Sequence, residues 1–597
     1  MRRSIATVCL SGTLEEKLEA AARAGFDEVE LFEPDLIASA LSPERIRERA
    51  GELGLTIGLF QPFRDFEAVP EAVLHENLRR AEQKFAVMER LGADLMLVCS
   101  NVSPAAIDDD ELAAAQLRTL AEQAAEHGVR IAYEALAWGR HVHDYDHAWR
   151  IVASADHPAL GTCLDSFHIL SRGADPAAIR DIPGDKIFYL QLADAPHLVM
   201  DVLQWSRHYR CFPGQGGFDL PSFVGHVVAT GYSGPLSLEV FNDVFRQADP
   251  ERMAVDAMRS LLLLEEAAGL TALPGAMPPR GYAFVELAVA AAAAAPVERL
   301  LIAMGFRHAG QHRTKPVQLW RHGDTRVLVN HEDGGRPGPR VAAIAVESED
   351  PIRSADRAQR LLAPLLPRER GPGEADLSAV AAPDGTSVFF CRTDGEGWHT
   401  DFLTAGPPGG GISPDITGID HVALWQPFDF FDEAVLFYRS VLGLELQHAD
   451  ELATPDGLVR SRAARSADGS VRFALSVPVV GHHGLAFQHV ALASDDVLAA
   501  AAAMRDRGVS LLAIPDNYYD DLLSRTNLGP DSVNRMRELG VLYDSTSEGE
   551  LFHVYTEMVG SGLFFEVVER RGAYDAYGAA NSPVRVAAQY SAPQAAG

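Results

Sequence analysis

Through the first half of the chain, short runs rich in apolar and β-branched residues alternate with longer amphipathic helical patterns. This alternation restricts the fold more than any other property of the sequence. The strand candidates are Ser4–Cys9, Glu28–Phe32, Thr56–Phe60, Leu95–Cys99, Arg130–Glu134, Gly161–Asp165, Ile187–Gln191 and Leu236–Glu239, and helical runs such as Leu14–Ala24, Glu71–Leu91 and Asp110–His127 lie between them. Parallel strands need crossover connections, and eight strand–helix units in about 265 residues match a closed (β/α)8 barrel in count and size. A doubly wound open sheet is the competing α/β arrangement. It usually carries a glycine-rich phosphate turn, and no GxGxxG occurs here.

At 597 residues the chain is too long for one core, and about three to four domains are expected. Leu270–Arg280 (LTALPGAMPPR) and Gly406–Asp415 (GPPGGGISPD) are rich in proline and glycine and read as exposed connections. After the first, the rhythm becomes strand (Tyr282–Ala290), helix (Pro296–Ala303), then strands GFRHAGQHR, VQLWRHG and TRVLVNHE. After the second the order recurs as Ile419–Leu424, helix Phe431–Val441, then LELQHAD, GLVRSRAARS and VRFALSVPV. Tandem βαβββ units of this kind pair into small α+β modules whose sheets curl around a cavity. The expected plan is a TIM barrel over 1–269, a linker over 270–283, a metal-free βαβββ half over 284–405, a linker over 406–415, a metal-binding βαβββ half over 416–580 and a flexible tail over 581–597.

Four side chains stand near the C-terminal ends of barrel strands: Glu134, Asp165, Gln191 and Glu239. Active sites of such barrels lie at that face. Three carboxylates and an amide oxygen are the hard donors that a Mg²⁺, Mn²⁺ or Co²⁺ ion takes, with positions left for water or substrate. His168 follows Asp165 by three residues and is a candidate general base, with an orienting or substrate-binding role as the alternative. Arg64, Arg207 and Arg210 lie on other loops of the same face and are candidates to bind a substrate carboxylate.

A formal net charge of −31 argues against nucleic acid or an anionic membrane as partner. Five cysteines without a CxxC pair suit a reducing cytoplasm, and the start of the chain lacks the apolar core of a secretory signal. No apolar run approaches the length of a membrane span. The expected partner is a small carboxylated molecule, and a homo-oligomer is compatible with all of this.

The runs SIATVCLSGTLEEKLEAAARAGFDEVELFEPD, GLFQPFRDFE, YEALAWGRHVHDY, LDSFHIL, FYLQLADAP, RCFPGQG and SLEVFND span most of residues 1–265. They resemble the sugar-phosphate-isomerase-like barrels and, more closely, the bacterial 3-dehydroshikimate dehydratases fused to a 4-hydroxyphenylpyruvate-dioxygenase-like (vicinal oxygen chelate) region. The resemblance implies that Glu134, Asp165, Gln191 and Glu239 are metal ligands and that the reaction is 3-dehydroshikimate to protocatechuate plus water. A metal-polarised ring ketone, a base beside it and a departing β-hydroxyl would accomplish this without a redox cofactor.

Farther on, GIDHVALW, LAFQHVALASDD and GLFFEVVERRG supply His421, His489 and Glu566. Two histidines and one carboxylate from separate strands form the facial triad used by non-haem Fe²⁺, with Mg²⁺ as the alternative ion. IPDNYYDDL (514–522) also resembles the dioxygenases, whereas the loop SVPVVGHHGLAFQH and the segment after Tyr577 depart from their pattern. Three readings follow: a dehydratase with a structural or regulatory C-terminal region, a lyase joined to an Fe²⁺ dioxygenase, and a sugar isomerase or epimerase.

Overall fold

The computed structural model describes residues 1–332, 338–394, 397–404, 415–455, 457–478, 487–560 and 562–591. The chain forms two compact units, Met1–Leu273 and Pro274–Gly597. Among the described residues no helix is long and apolar enough to cross a membrane.

In the first unit, eight strands close into a barrel in sequence order: β1 (Arg3–Ala6), β2 (Glu28–Phe32), β3 (Thr56–Phe63), β4 (Leu95–Cys99), β5 (Arg130–Glu134), β6 (Leu160–Asp165), β7 (Ile187–Leu192) and β8 (Leu236–Leu238). The seam joins β1 to β8 in parallel, with Ser4 opposite Ser237. The outer helices follow from local chemistry. Leu14–Ala24 starts at Thr13, which forms a reciprocal capping box with Glu16, and it buries Leu14, Leu18, Ala20, Ala21 and Ala24.

The barrel lumen departs from the usual stack of aliphatic layers. Ser4, Glu28, Glu30, Gln61, Tyr189, Gln191 and Ser237 are all fully buried. Most of their polar atoms pair with one another, and Arg2 Nη1 reaches Glu28 Oε2 (2.8 Å) from outside the set. The Tyr189 hydroxyl donates to Glu28 Oε1 (3.0 Å), Gln191 Nε2 donates to Glu30 Oε2 (2.6 Å), and Gln61 Nε2 donates to both Glu30 Oε2 and Glu239 Oε1 (2.9 Å each). Ser237 adds a hydrogen bond to Glu30. A polar network in a dry interior is tolerable only when it is connected in this way.

The second unit holds two eight-stranded mixed sheets. The first comprises β9 (Tyr282–Ala290), β10 (Arg307–His312), β11 (Val317–His322), β12 (Thr325–Glu332), β13 (Arg340–Glu347), β14 (Ser378–Ala381), β15 (Ser387–Cys391) and β16 (Phe402–Thr404). Its order is β14-β15-β13-β9-β12-β11-β10-β16. The other comprises β17 (Gly418–Trp425), β18 (Glu445–Thr454), β19 (Gly457–Arg465), β20 (Arg472–Pro478), β21 (Gln488–Ala493), β22 (Leu542–Ser545), β23 (Gly549–Tyr555) and β24 (Leu563–Gly572). Its order is β18-β19-β20-β17-β21-β24-β23-β22.

Each half therefore contains two repeats, where the sequence pattern predicts a single βαβββ unit. In the second sheet both are complete, and their first strands meet antiparallel as β17 and β21. The helices Asp516–Arg525 and Pro530–Leu539 intervene before β22 and obscure the second repeat in the sequence. In the first sheet the second repeat lays β15 and β14 beside β13, while β16 closes against β10 at the far edge.

Two further corrections concern connections. The expected flexible tail over 581–597 begins instead with a helix, Ser582–Ser591, that buries Val586, Ala588 and Gln589. Strand β9 starts at Tyr282, so the linker expected over 270–283 ends earlier. The second expected linker, save Asp415, lies outside the described residues.

Glycine is demanded at Gly161 in β6, where a Cβ would stand 2.6 Å from the Lys186 carbonyl oxygen and 2.5 Å from the Phe188 ring. Gly225, inside the helix Leu220–Ala229, faces open space. Gly161→Ala is expected to cost about 1–3 kcal/mol through overpacking, and Gly225→Ala to gain up to about 1 kcal/mol from helix propensity. Thermal denaturation should therefore move in opposite directions for the two variants.

Candidate active site and a second candidate metal centre

The carboxylates predicted from the strand ends meet at the C-terminal mouth of the barrel. Glu134 closes β5, Asp165 closes β6, and Glu239 stands one residue beyond β8, its backbone N–H donating to Leu192 O (3.1 Å). One oxygen each from Glu134 and Asp165 and one nitrogen of His168 lie within 4.8 Å of one another. All of these residues are buried.

Arg210 stands among them. Its Nη1 donates to Asp165 Oδ2 (2.8 Å) and Glu239 Oε2 (3.1 Å), and its guanidinium is completed by Ser206 Oγ (2.8 Å from Nη2) and by the rings of Phe167 and Phe241. These contacts decide the charges. Burial works against ionised Asp165, yet Arg210, His168 and their hydrogen bonds hold its carboxyl below the usual range. Burial pushes Glu239 up to about 7 despite Arg210. Burial, with Asp165 and Glu239 close by, raises Glu134 well above its ordinary value.

His168 is buried, and desolvation drives its pKa down to about 3 although Asp165 opposes the shift. The ring is therefore neutral. Two donors meet it, the Ala137 N–H at Nδ1 (3.1 Å) and the Arg210 guanidinium at Nε2, and the single lone pair of a neutral ring serves only one of them. Nε2 faces Arg210 Nη2 (3.2 Å), Glu134 Oε1 (3.7 Å) and Asp165 Oδ2 (3.8 Å). With the ring hydrogen on Nδ1, Nε2 keeps its lone pair toward the cluster and can serve as a base; with it on Nε2, the ring meets the Arg210 guanidinium donor to donor.

The cluster suits a divalent cation. Glu134 Oε1 is buried without a hydrogen-bond partner, and the donors are hard oxygens. Gln191 is adjacent to Asp165 across β6 and β7. Its amide is engaged elsewhere, with Nε2 on Glu30 and Oε1 accepting from Cys163 Sγ (3.4 Å).

In the second unit, His421 (β17), His489 (β21) and Glu566 (β24) converge from the centre of the sheet. His421 Nε2 and His489 Nε2 are 3.3 Å apart, and Glu566 Oε2 lies 3.2 Å and 3.1 Å from them. Ligands about 2.1 Å from one ion and at right angles are about 3.0 Å apart, so the spacing fits three facial ligands of a single metal. Outer partners fix two of them. Asp420 Oδ1 meets His421 Nδ1 (2.7 Å) and is itself held by Arg570 through two 2.8 Å bonds. Glu566 Oε1 meets His553 Nδ1 (2.7 Å), whose Nε2 faces Asn581 Nδ2 (2.8 Å). Such second-layer bonds orient metal ligands and set their tautomers.

The family described as xylose isomerase-like TIM barrel matches residues 18–264. The N-terminal region of hydroxyphenylpyruvate dioxygenase matches 275–397, and the glyoxalase/bleomycin resistance protein/dioxygenase superfamily matches 418–531. A 3-dehydroshikimate dehydratase of Pseudomonas putida is 45% identical, the alignment covering 99% of this chain and 98% of the relative. One of Pseudomonas aeruginosa is also 45% identical, over 99% of both chains. The chain belongs to the 3-dehydroshikimate dehydratase family. A solved xylose isomerase-like TIM barrel/4-hydroxyphenylpyruvate dioxygenase fusion protein agrees in architecture, with a TM-score of 0.91 and 45% identity over 99% of this chain and 100% of the other.

In this member of the dehydratase family the three arginines singled out from the sequence fare differently. Arg210 is inside the cluster. Arg64 is half-buried after β3, and its charge bears on Glu239, His168 and Cys99. Arg207 is exposed on the helix Val202–His208, which turns Trp205 and Ser206 inward, and no bond joins it to the cluster among the described residues. The residues that sequence reasoning missed are supporting ones: Glu30, Gln61 and Ser206 in the barrel, and Asp420, His553, Arg570 and Asn581 around the triad. The Glu28/Glu30 alternation within EVELF, placing acids at period two in an apolar strand, was the available signal for a polar lumen.

Removing the guanidinium leaves buried carboxylates uncompensated, which typically costs about 3–5 kcal/mol. Metal-free Arg210→Met is expected to melt well below the metal-free parent, with added Mn²⁺ recovering most of the difference. Equal melting temperatures without metal would contradict this charge balance.

Proposed function

We propose that the barrel dehydrates 3-dehydroshikimate to protocatechuate with a divalent cation bound at the carboxylate cluster. The observation that carries this reading is identity to two curated dehydratases along essentially the whole chain. The buried acid cluster supports it, because elimination next to a ketone needs stabilisation of an enolate.

Glu134, Asp165 and Glu239 would hold the ion, and Gln191 would join through its amide oxygen after turning from Cys163. Mg²⁺, Mn²⁺ and Co²⁺ all suit this donor set. When bound, the ion supplies Lewis-acid polarisation of the ring ketone. It would compete with Arg210 for Asp165 and Glu239, so that loading frees a guanidinium at the mouth of the site. Arg64, which has no acid partner among the described residues, and the released Arg210 then take the substrate carboxylate. His168 handles the proton. With its lone pair on Nε2, the neutral ring takes the hydrogen next to the ketone, and the same nitrogen then passes that proton to the departing β-hydroxyl, which leaves as water. Loss of water and aromatisation complete the reaction.

The triad would hold a second divalent ion, Fe²⁺ or Mg²⁺. The dehydratase reading does not require it.

The test is formation of protocatechuate, followed by absorbance, from 3-dehydroshikimate with metal-stripped protein and added Mg²⁺, Mn²⁺ or Co²⁺. Glu134→Gln is expected to abolish turnover, His168→Gln to lower it by about 10²–10⁴-fold, and His489→Ala to spare most of it. Absence of product with every metal would overturn the reading and favour sugar isomerisation.

A further inference from the structure

One buried acid of the barrel takes no part in the dehydration steps above. Glu30, on β2, is fully buried, and the groups that bond it among the described residues are all neutral: Gln61, Gln191 and Ser237. A carboxyl in a dry lumen without a cation is expensive, and barrels of this kind ordinarily fill such a layer with aliphatic side chains. Its presence calls for a task.

The hydrogen bonds indicate that task. Glu30 Oε2 accepts from Gln191 Nε2 (2.6 Å) and from Gln61 Nε2 (2.9 Å), while Ser237 donates to Oε1. An amide carries its oxygen and its NH2 on opposite sides of one carbon. With Nε2 held by Glu30, Gln191 turns Oε1 toward β6, the strand that ends in Asp165, where it meets Cys163 Sγ (3.4 Å). A thiol is a weak donor, so this oxygen remains open to a better partner. Reversed, the same side chain would aim an NH2 at the cluster, and that group has no lone pair to offer a cation. Gln61, on β3, extends the arrangement. Its Nε2 also donates to Glu239 Oε1 (2.9 Å), which fixes one oxygen of that carboxylate and leaves Oε2 on the side of Arg210. Glu30 thus reaches two of the four ligands, Gln191 directly and Glu239 through Gln61.

We propose that Glu30 is a positioning residue for the barrel cation: it sets the Gln191 amide with its oxygen toward the ion and, through Gln61, sets the Glu239 carboxylate. This inference rests on the metal site proposed above. It gives the polar lumen a purpose that an aliphatic layer could not serve.

The experiment is calorimetric titration of Mn²⁺ into the metal-stripped full chain. A His489→Ala background keeps the triad from contributing, and circular dichroism verifies folding of each variant. Glu30→Leu, which keeps the volume and removes both acceptors, is expected to weaken Mn²⁺ binding by about 10–100-fold. Glu30→Gln should restore most of the affinity, because its amide oxygen can accept from Gln61 and Gln191 while its NH2 faces Ser237 Oγ. In a Gln61→Leu/Gln191→Leu background the effect of Glu30→Leu should vanish, which a merely structural loss would not do. Equal Mn²⁺ affinity with and without Glu30→Leu, or an undiminished loss in that background, would overturn the proposal. Crystals of the unaltered chain grown with Mn²⁺ need no variant: Gln191 bridging Glu30 and the ion is expected, and Gln191 parted from either would also overturn it. Absence of Mn²⁺ binding in the His489→Ala chain would remove the barrel metal reading and this one together, whereas binding that ignores Glu30 sinks the positioning role alone.

Discussion

The burial of several carboxylates in one barrel lumen governs the first unit. Glu30, Glu134, Asp165 and Glu239 lie in or at the mouth of a space closed by eight strands, where an unpaired charge is too costly to keep. The fold meets this with hydrogen bonds from Gln61, Gln191 and Ser237 to Glu30 and with one buried cation, Arg210, shared by Asp165 and Glu239. Glu134 is left with an unsatisfied oxygen. In the proposed reading such a site has two states, one with the guanidinium inside and one with a metal inside, and exchange between them would free an arginine for the substrate acid.

The architecture of the barrel is legible in the sequence because strand and helix periods alternate plainly and each strand ends near a chemically distinctive residue. Strands β2, β4 and β5 have the bounds read from the sequence. The supporting residues are not legible. Ser206 and Arg207 are neighbours on one short helix, and which faces Arg210 depends on how that helix packs, which periodicity over seven residues does not determine. The hydrogen on His168 is equally hidden, since it depends on two donors from sequence-distant loops, the Ala137 N–H and the Arg210 guanidinium, that compete for one lone pair.

The second unit shows the opposite balance. The triad is readable from three strand motifs, and its three ligand atoms stand within 3.3 Å of one another. The repeat count is not readable, because inserted helices separate β21 from β22 and a relocated β16 breaks the pattern of the first sheet. The helix Ser582–Ser591 reads as tail because its proline and small residues look like loop. Tertiary burial of Val586 and Ala588, with proline tolerated in the first turn, accounts for it.

The most direct test of this two-state site is anomalous diffraction from crystals of the full chain grown with and without Mn²⁺. The expected result is an anomalous peak bound by Glu134, Asp165, Gln191 and Glu239, with the Arg210 guanidinium withdrawn from Asp165 and Glu239 relative to the metal-free crystal. Arg210 still bridging those two carboxylates in saturating Mn²⁺, with no peak at the barrel mouth, would contradict it.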